Sequence, residues 1–111
     1  MFAFYDDKPV GMIVYSFNKK SKIKHIANIF GFYVKKEYRN QGIGKRLIEN
    51  ALSNIKKNGK IIKIDLYVNS GQKAAVKLYM ECGFKTVGRL KKYLFIGGKF
   101  YDELIMEKFL I

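Results

Sequence analysis

The chain has 111 residues, enough for one hydrophobic core and too few for two ordinary domains, so residues 1–111 are read as a single domain. Hydrophobic residues at 49% and aromatics at 15% exclude a disordered chain. Lys plus Arg number 22 against 9 Asp plus Glu, a net charge of +13, so a polyanionic partner has to be weighed. The lysines are scattered over turns and polar helix faces, which fits a solvated surface better than a nucleic-acid footprint.

Residues 2–5 and 10–17 are rich in aromatic and β-branched side chains and predict a hairpin, with Asp6-Asp7-Lys8-Pro9 as its turn. Residues 18–22 form a second polar turn. Residues 23–34 read as a longer strand in which Gly31 marks a bulge or a close approach. From about Gln41 the apolar period becomes helical: Leu47, Ile48, Ala51, Leu52 and Ile55 share one face, and Lys45, Glu49, Asn50, Ser53 and Lys56 the other. Asn58-Gly59 predicts a left-handed cap. Residues 60–68 then alternate as a strand, with Ile62, Ile64, Leu66 and Val68 on one side.

A strand, a crossover helix and a strand make a parallel, right-handed unit. A second, short helix begins near Ser70 and carries Ala75, Leu78, Tyr79 and Cys82 on one face until Gly83 stops it and Phe84 packs back. Residues 84–96 and 100–109 close the chain as a hairpin through Gly97-Gly98, a pair suited to a type I′ turn. The order β-β-β-α-β-α-β-β predicts an α+β sandwich with a mixed, mostly antiparallel sheet and one parallel pair.

Cys82 is the only cysteine, which rules out an internal disulfide and suits a reducing compartment. No apolar run approaches the ~20 residues of a membrane span. Asp6 and Asp7 stand where a secretory signal would be basic, so the expected location is the cytoplasm.

The junction of the third strand and the first helix carries the chemistry. A helix start leaves N–H groups unpaired at the positive end of the helix dipole, and glycines let an anion approach them. Gly42 and Gly44 stand there beside Lys45 and Arg46. A Walker A loop is excluded because Arg46 follows Gly44-Lys45 and Arg39 stands five before Gly44. A dinucleotide fingerprint is excluded because Leu47 holds the place of its third glycine.

What remains, Arg39-x-x-Gly42-x-Gly44 between a strand and a helix, resembles the Gln/Arg-x-x-Gly-x-Gly/Ala motif of the GCN5-related N-acetyltransferase (GNAT) superfamily. The similarity continues through Asn69, Ala74, Leu78-Tyr79 and Gly83-Phe84 and into the closing strand at Tyr101-Asp102-Glu103, so it covers nearly the whole chain. It implies an acetyl-CoA-dependent transferase that acetylates a primary amine of a small molecule or protein. The alternative is a fold that keeps CoA binding without turnover.

By this resemblance Arg39, Asn40, Gln41, Gly42, Ile43, Gly44 and Lys45 form the loop that cradles the CoA pyrophosphate. Phe32, Tyr33 and Val34 would line a gap beside the next strand that takes the pantetheine arm, and Asn69 would bond to that arm. Tyr79 is expected near the sulfur as the acid that protonates the leaving thiolate. Many members carry a Glu as base on the strand before the glycine loop, but Asn28 stands at about that place and cannot take a proton. His25, the only histidine, is the first candidate base because it titrates in the useful range, with Glu37 and Asp102 as weaker candidates. No metal is implied. The chain also starts at what resembles the family's second strand, without the helix pair that covers the acceptor side. The expectation is exposed apolar surface and a homodimer.

Overall fold

The computed structural model describes all 111 residues. Strand β1 (Phe2–Tyr5) pairs antiparallel with β2 (Lys8–Phe17), and β2 with β3 (Ile26–Val34). A 3₁₀ turn (Lys36–Tyr38) leads to helix α1 (Ile43–Lys56), after which β4 (Lys63–Asn69) lies parallel to β3. Helix α2 (Lys73–Glu81) and the hairpin β5 (Lys85–Ile96) and β6 (Lys99–Phe109) complete one six-stranded sheet of order β1-β2-β3-β4-β6-β5. The α+β class and its single parallel pair are those expected from the pattern.

Both helices lie on one face of the sheet. Alternation in the strands sends Ile13, Ala27, Ile29, Ile64, Leu66 and Met106 inward, and α1 meets them with Leu47, Ile48, Ala51 and Ile55. Each of these larger side chains contributes roughly 1.5–3 kcal/mol by leaving water. Helix α2 adds Tyr79 and ends in a Schellman arrangement, with Phe84 N–H on the Tyr79 carbonyl and Gly83 N–H on that of Met80. Gly83 takes the required positive φ of 96°.

The opposite sheet face has no helix over it. Val14, Tyr33, Tyr67 and Phe109 are exposed there. Between them Lys63 bonds Glu107 at 2.8 Å and lies 3.1 Å from Asp65, the three side chains being only partly exposed. No helix is long and apolar enough to cross a membrane.

Four boundaries differ from the sequence reading. The first hairpin turns on Asp6-Asp7 alone, both at positive φ (48° and 63°), so β2 starts earlier, at Lys8. Strand β3 starts at Ile26 rather than at 23, because successive i to i+3 bonds from Ile23 N–H to Lys20 and from Ile26 N–H to Ile23 coil the chain there. Gly59 is not in a left-handed conformation; the Asn58 side chain closes that turn by accepting the Lys60 N–H at 3.1 Å, and β4 starts only at Lys63. Helix α2 begins at Lys73 instead of near Ser70, because residues 69–72 are held in a turn described below.

Candidate active site

The parallel pair β3–β4 is the source of the site. Its ladder runs only from Ile26–Lys63 to Ile29–Leu66. At that point β3 bulges: Tyr15 stands opposite Ile29 and Val14 opposite Gly31, which leaves Phe30 without a partner and 69% exposed. Beyond the bulge β3 stays with β2 as far as Val34, while β4 stays with β6 as far as Asn69. The two strands diverge, and a cleft of about 740 Å³ lies beside the end of β3, between the start of α1 and the start of α2; no residue of β4 lines it.

Helix α1 starts at the mouth of this cleft. Its N-cap is Gly42 at φ 80°, a left-handed conformation that a side chain would strain, and a Cβ there would meet nothing within 4 Å. No side chain caps the helix. Its first backbone bond is the Arg46 N–H on the Gly42 carbonyl, so the N–H groups of Ile43, Gly44 and Lys45 have no acceptor in the chain. Gly44 answers a different need. A Cβ at this position would come within 2.9 Å of Leu78 and 3.0 Å of Phe32, so its absence lets α1 sit down between β3 and α2.

Phe32, Tyr33, Val34, Arg39, Asn40 and Gly42 line the cleft, together with Gly44 and Lys45. Gln41 and Ile43 belong to the same loop without lining it. Gln41 instead donates from its amide to the Glu37 carbonyl at 3.3 Å. Asn69 closes a turn: its Oδ1 accepts the Gly71 N–H at 2.8 Å and its carbonyl the Gln72 N–H at 2.9 Å. This turn delays α2.

The facing wall was missed by sequence reasoning. It consists of Gly71, Gln72, Lys73, Ala75 and Lys77, with Glu81 at its end, beside Ala74 and Leu78 of the motif. A signal existed in Lys73 and Lys77, four residues apart and therefore on one face of a helix that starts beside the cleft. The turn behind this wall is locked to β6, where Ser70 N–H bonds the Asp102 carbonyl and Asp102 N–H bonds Ser70 Oγ. The Asp102 carboxylate in turn accepts the Lys92 N–H at 2.9 Å and pairs with Arg89. These two bonds hold its carboxyl below the usual range.

Tyr79 lies behind Phe32, with ring centroids 5.7 Å apart, and its other neighbour is Phe84 at 5.5 Å. Burial pushes its phenol well above the ordinary value, so it stays protonated at any physiological pH. Burial also raises the Cys82 thiol, in keeping with a packing role. Asn28 is held by its neighbour, its Oδ1 accepting from the Asn18 amide at 2.8 Å.

His25 is not brought to this group. It precedes β3, its carbonyl accepts the Ile62 N–H, and the cleft lies at the other end of the nine-residue strand, roughly 30 Å along it. The reason is that β3 runs away from His25 toward Val34. No group of three or more His, Cys, Asp or Glu is placed to hold a metal ion.

Fold and cleft together define an α+β protein with an uncapped helix start beside an opened parallel pair. The acetyltransferase (GNAT) family matches residues 1–84, more than half of the chain, and the chain belongs to that family. It is 34% identical over 89 residues to the uncharacterized N-acetyltransferase MJ1207 of Methanocaldococcus jannaschii, covering 78% of this chain and 39% of that protein. It is 26% identical over 106 residues to the L-amino acid N-acetyltransferase AaaT of Escherichia coli, covering 96% and 65%. Among solved structures, a GNAT-family acetyltransferase from Streptococcus pneumoniae superposes with a TM-score of 0.91 at 28% identity, over 99% of this chain and 65% of that one. The chain thus spans between 39% and 65% of the length of these relatives.

The family implies acetyl-CoA as co-substrate, and the residues present fit it. A pyrophosphate needs N–H donors and room, which Ile43, Gly44, Lys45 and the open side of Gly42 offer. An extended amide-bearing arm needs strand edges without partners, which the divergence of β3 and β4 leaves free.

Proposed function

We propose that this chain is an acetyl-CoA-dependent N-acetyltransferase that transfers an acetyl group to a primary amine of a small molecule or protein. The observation that carries the reading is the uncapped start of α1 at the mouth of the β3–β4 divergence. In this reading the amides of residues 41–45 hold the pyrophosphate, Phe32, Tyr33 and Val34 with Asn69 line the arm, and acetyl-CoA supplies an activated thioester. Tyr79 serves as the proton donor to the departing thiolate, kept protonated by its burial between Phe32 and Phe84. His25 stands outside this constellation, so the amine's proton goes to water.

The exposed sheet face carrying Val14, Tyr33 and Tyr67 is read as the surface on which a second copy pairs, and the cytoplasm as the compartment. Light scattering that finds only monomer at working concentration would exclude the pairing.

A second reading, CoA binding without turnover, is favoured by Asn28, whose amide is committed to Asn18 and takes no proton. One experiment separates the two. Acetyl-CoA at about 100 times Kd should add about 2.7 kcal/mol to stability and raise the melting temperature, and Gly42→Asp should abolish the rise. Release of free CoA thiol across an amine panel then marks the enzyme. A thermal shift with no thiol release from any amine leaves the binding module, and no shift at saturation excludes both.

A further inference from the structure

The Val34 carbonyl is the last acceptor that β3 turns toward the cleft. Lys35 N–H points the other way, to the Val10 carbonyl of β2 at 2.8 Å, and across a trans peptide the Val34 C=O therefore faces the side that β4 has left. A carbonyl there has no strand to pair with, because the β3–β4 ladder ended at Ile29. It is bonded all the same. Arg39 Nε donates to it at 2.9 Å, and the guanidinium carbon lies 5.7 Å from the centre of the Tyr33 ring.

Between these residues the chain makes its reversal, with Tyr38 N–H on the Lys35 carbonyl and Arg39 N–H on that of Lys36. Asn40 then takes a positive φ of 62° and Gly42 one of 80° before α1 begins. Such a loop, with two left-handed residues and no helix cap, has little of its own to fix where the free N–H groups of Ile43 to Lys45 stand. The Arg39 side chain supplies that restraint by tying the end of the loop to the end of β3.

We propose that Arg39 is a positioning residue: through its Nε–H bond to Val34 it sets the offset between the opened strand and the start of α1, rather than acting by its charge on a phosphate. The inference rests on the CoA reading above for its ligand, though not for its geometry. It also means that a cofactor arm running along β3 finds the groups of Phe32 free and the Val34 oxygen already taken.

Side-chain chemistry permits a test in which donor and charge are separated. Gln places an N–H on the atom after Cδ, where Arg carries Nε, without the charge. Met places a methyl group there. Lys keeps the charge but has its donor one bond further out. The four proteins, wild type, Arg39→Gln, Arg39→Met and Arg39→Lys, are compared by CoA titration and by hydrogen exchange of residues 30–39 in the free protein.

Positioning predicts that Arg39→Gln stays within about threefold of wild type in Kd, while Arg39→Met and Arg39→Lys lose tenfold or more, with faster exchange in the same two variants. A phosphate contact predicts the other order, with Arg39→Lys near wild type and Arg39→Gln as weak as Arg39→Met, and that result overturns the proposal. So does exchange that is unchanged in all four, or an affinity loss that simply follows the melting temperatures of the free variants. If wild type does not bind CoA the enzymatic reading fails, and the exchange arm still decides the role of Arg39.

Discussion

Gly44 and Leu78 stand so close that a methyl group on the first would come within 2.9 Å of Cδ1 of the second. The tip of Phe32 would lie 3.0 Å away, so two side chains would have to give way at once. Gly44→Ala is therefore expected to destabilise the fold by about 1–3 kcal/mol even though alanine is the better helix former. Chemical denaturation would read it, and a neutral or stabilising result would mean that α1 and α2 are less tightly seated than described.

Tyr79 allows chemistry to be separated from binding. Removing its hydroxyl in Tyr79→Phe should lower kcat by about 10² while the CoA Kd stays within a factor of two, since the ring keeps its place between Phe32 and Phe84. The raised pKa adds a second signature. The wild-type rate should not fall between about pH 8 and 10 through loss of this donor, because an ordinary phenol titrates only near 10 and this one lies higher. Steady-state rates against pH measure both.

Asp102 predicts an acid-side dependence of stability. Its carboxyl is held down by the Lys92 N–H and by Arg89, so the stabilisation that its charge lends is present above about pH 4, the unfolded value, and is lost as pH falls through the folded one. Asp102→Asn should melt lower than wild type at pH 7, and the two should converge at strongly acid pH. Melting curves from pH 2 to 7 that stay parallel would contradict this.

Lys63 is the only cation bonded between Asp65 and Glu107. Those bonds, chiefly that to Glu107, raise its own pKa, so its contribution persists to alkaline pH and fades only as pH rises through the raised folded value. Lys63→Met leaves two neighbouring carboxylates facing each other. The variant should therefore melt below wild type at pH 7, and a melting temperature equal to that of wild type would contradict this.

Much of this architecture was legible because the local signals were strong. The alternation of Ile64, Leu66 and Val68, the helical spacing of Leu47, Ile48, Ala51 and Ile55, and the Gly97-Gly98 turn, with φ of 58° and 79°, all follow from backbone periodicity and glycine freedom. The glycine loop was legible for the same reason. What the chain hid depends on contacts between distant segments. Ile23 is as apolar as a strand residue, but bonds from the turn claim it. Asn58 closes with its side chain a turn that the sequence assigns to Gly59. The second wall of the cleft, with Lys73 and Lys77, becomes a wall only because β4 and α2 fold back opposite Arg39 and Lys45. His25 could not be placed from its titration range, since distance along β3 decides its role.

The short β3–β4 ladder has a mechanical consequence. The sheet consists of two three-stranded plates, β1-β2-β3 and β4-β6-β5, whose strands pair only along Ile26–Ile29 and Lys63–Leu66, with the Ile62 N–H on the His25 carbonyl just before them. Residues 30–34 reach about 17 Å past that seam, so a relative rotation of ~5° moves the tip by roughly 1.5 Å. Packing around Ile29 and Leu66, buried at the last rung of that seam, therefore has more leverage on the aperture at Val34 than any residue at the mouth.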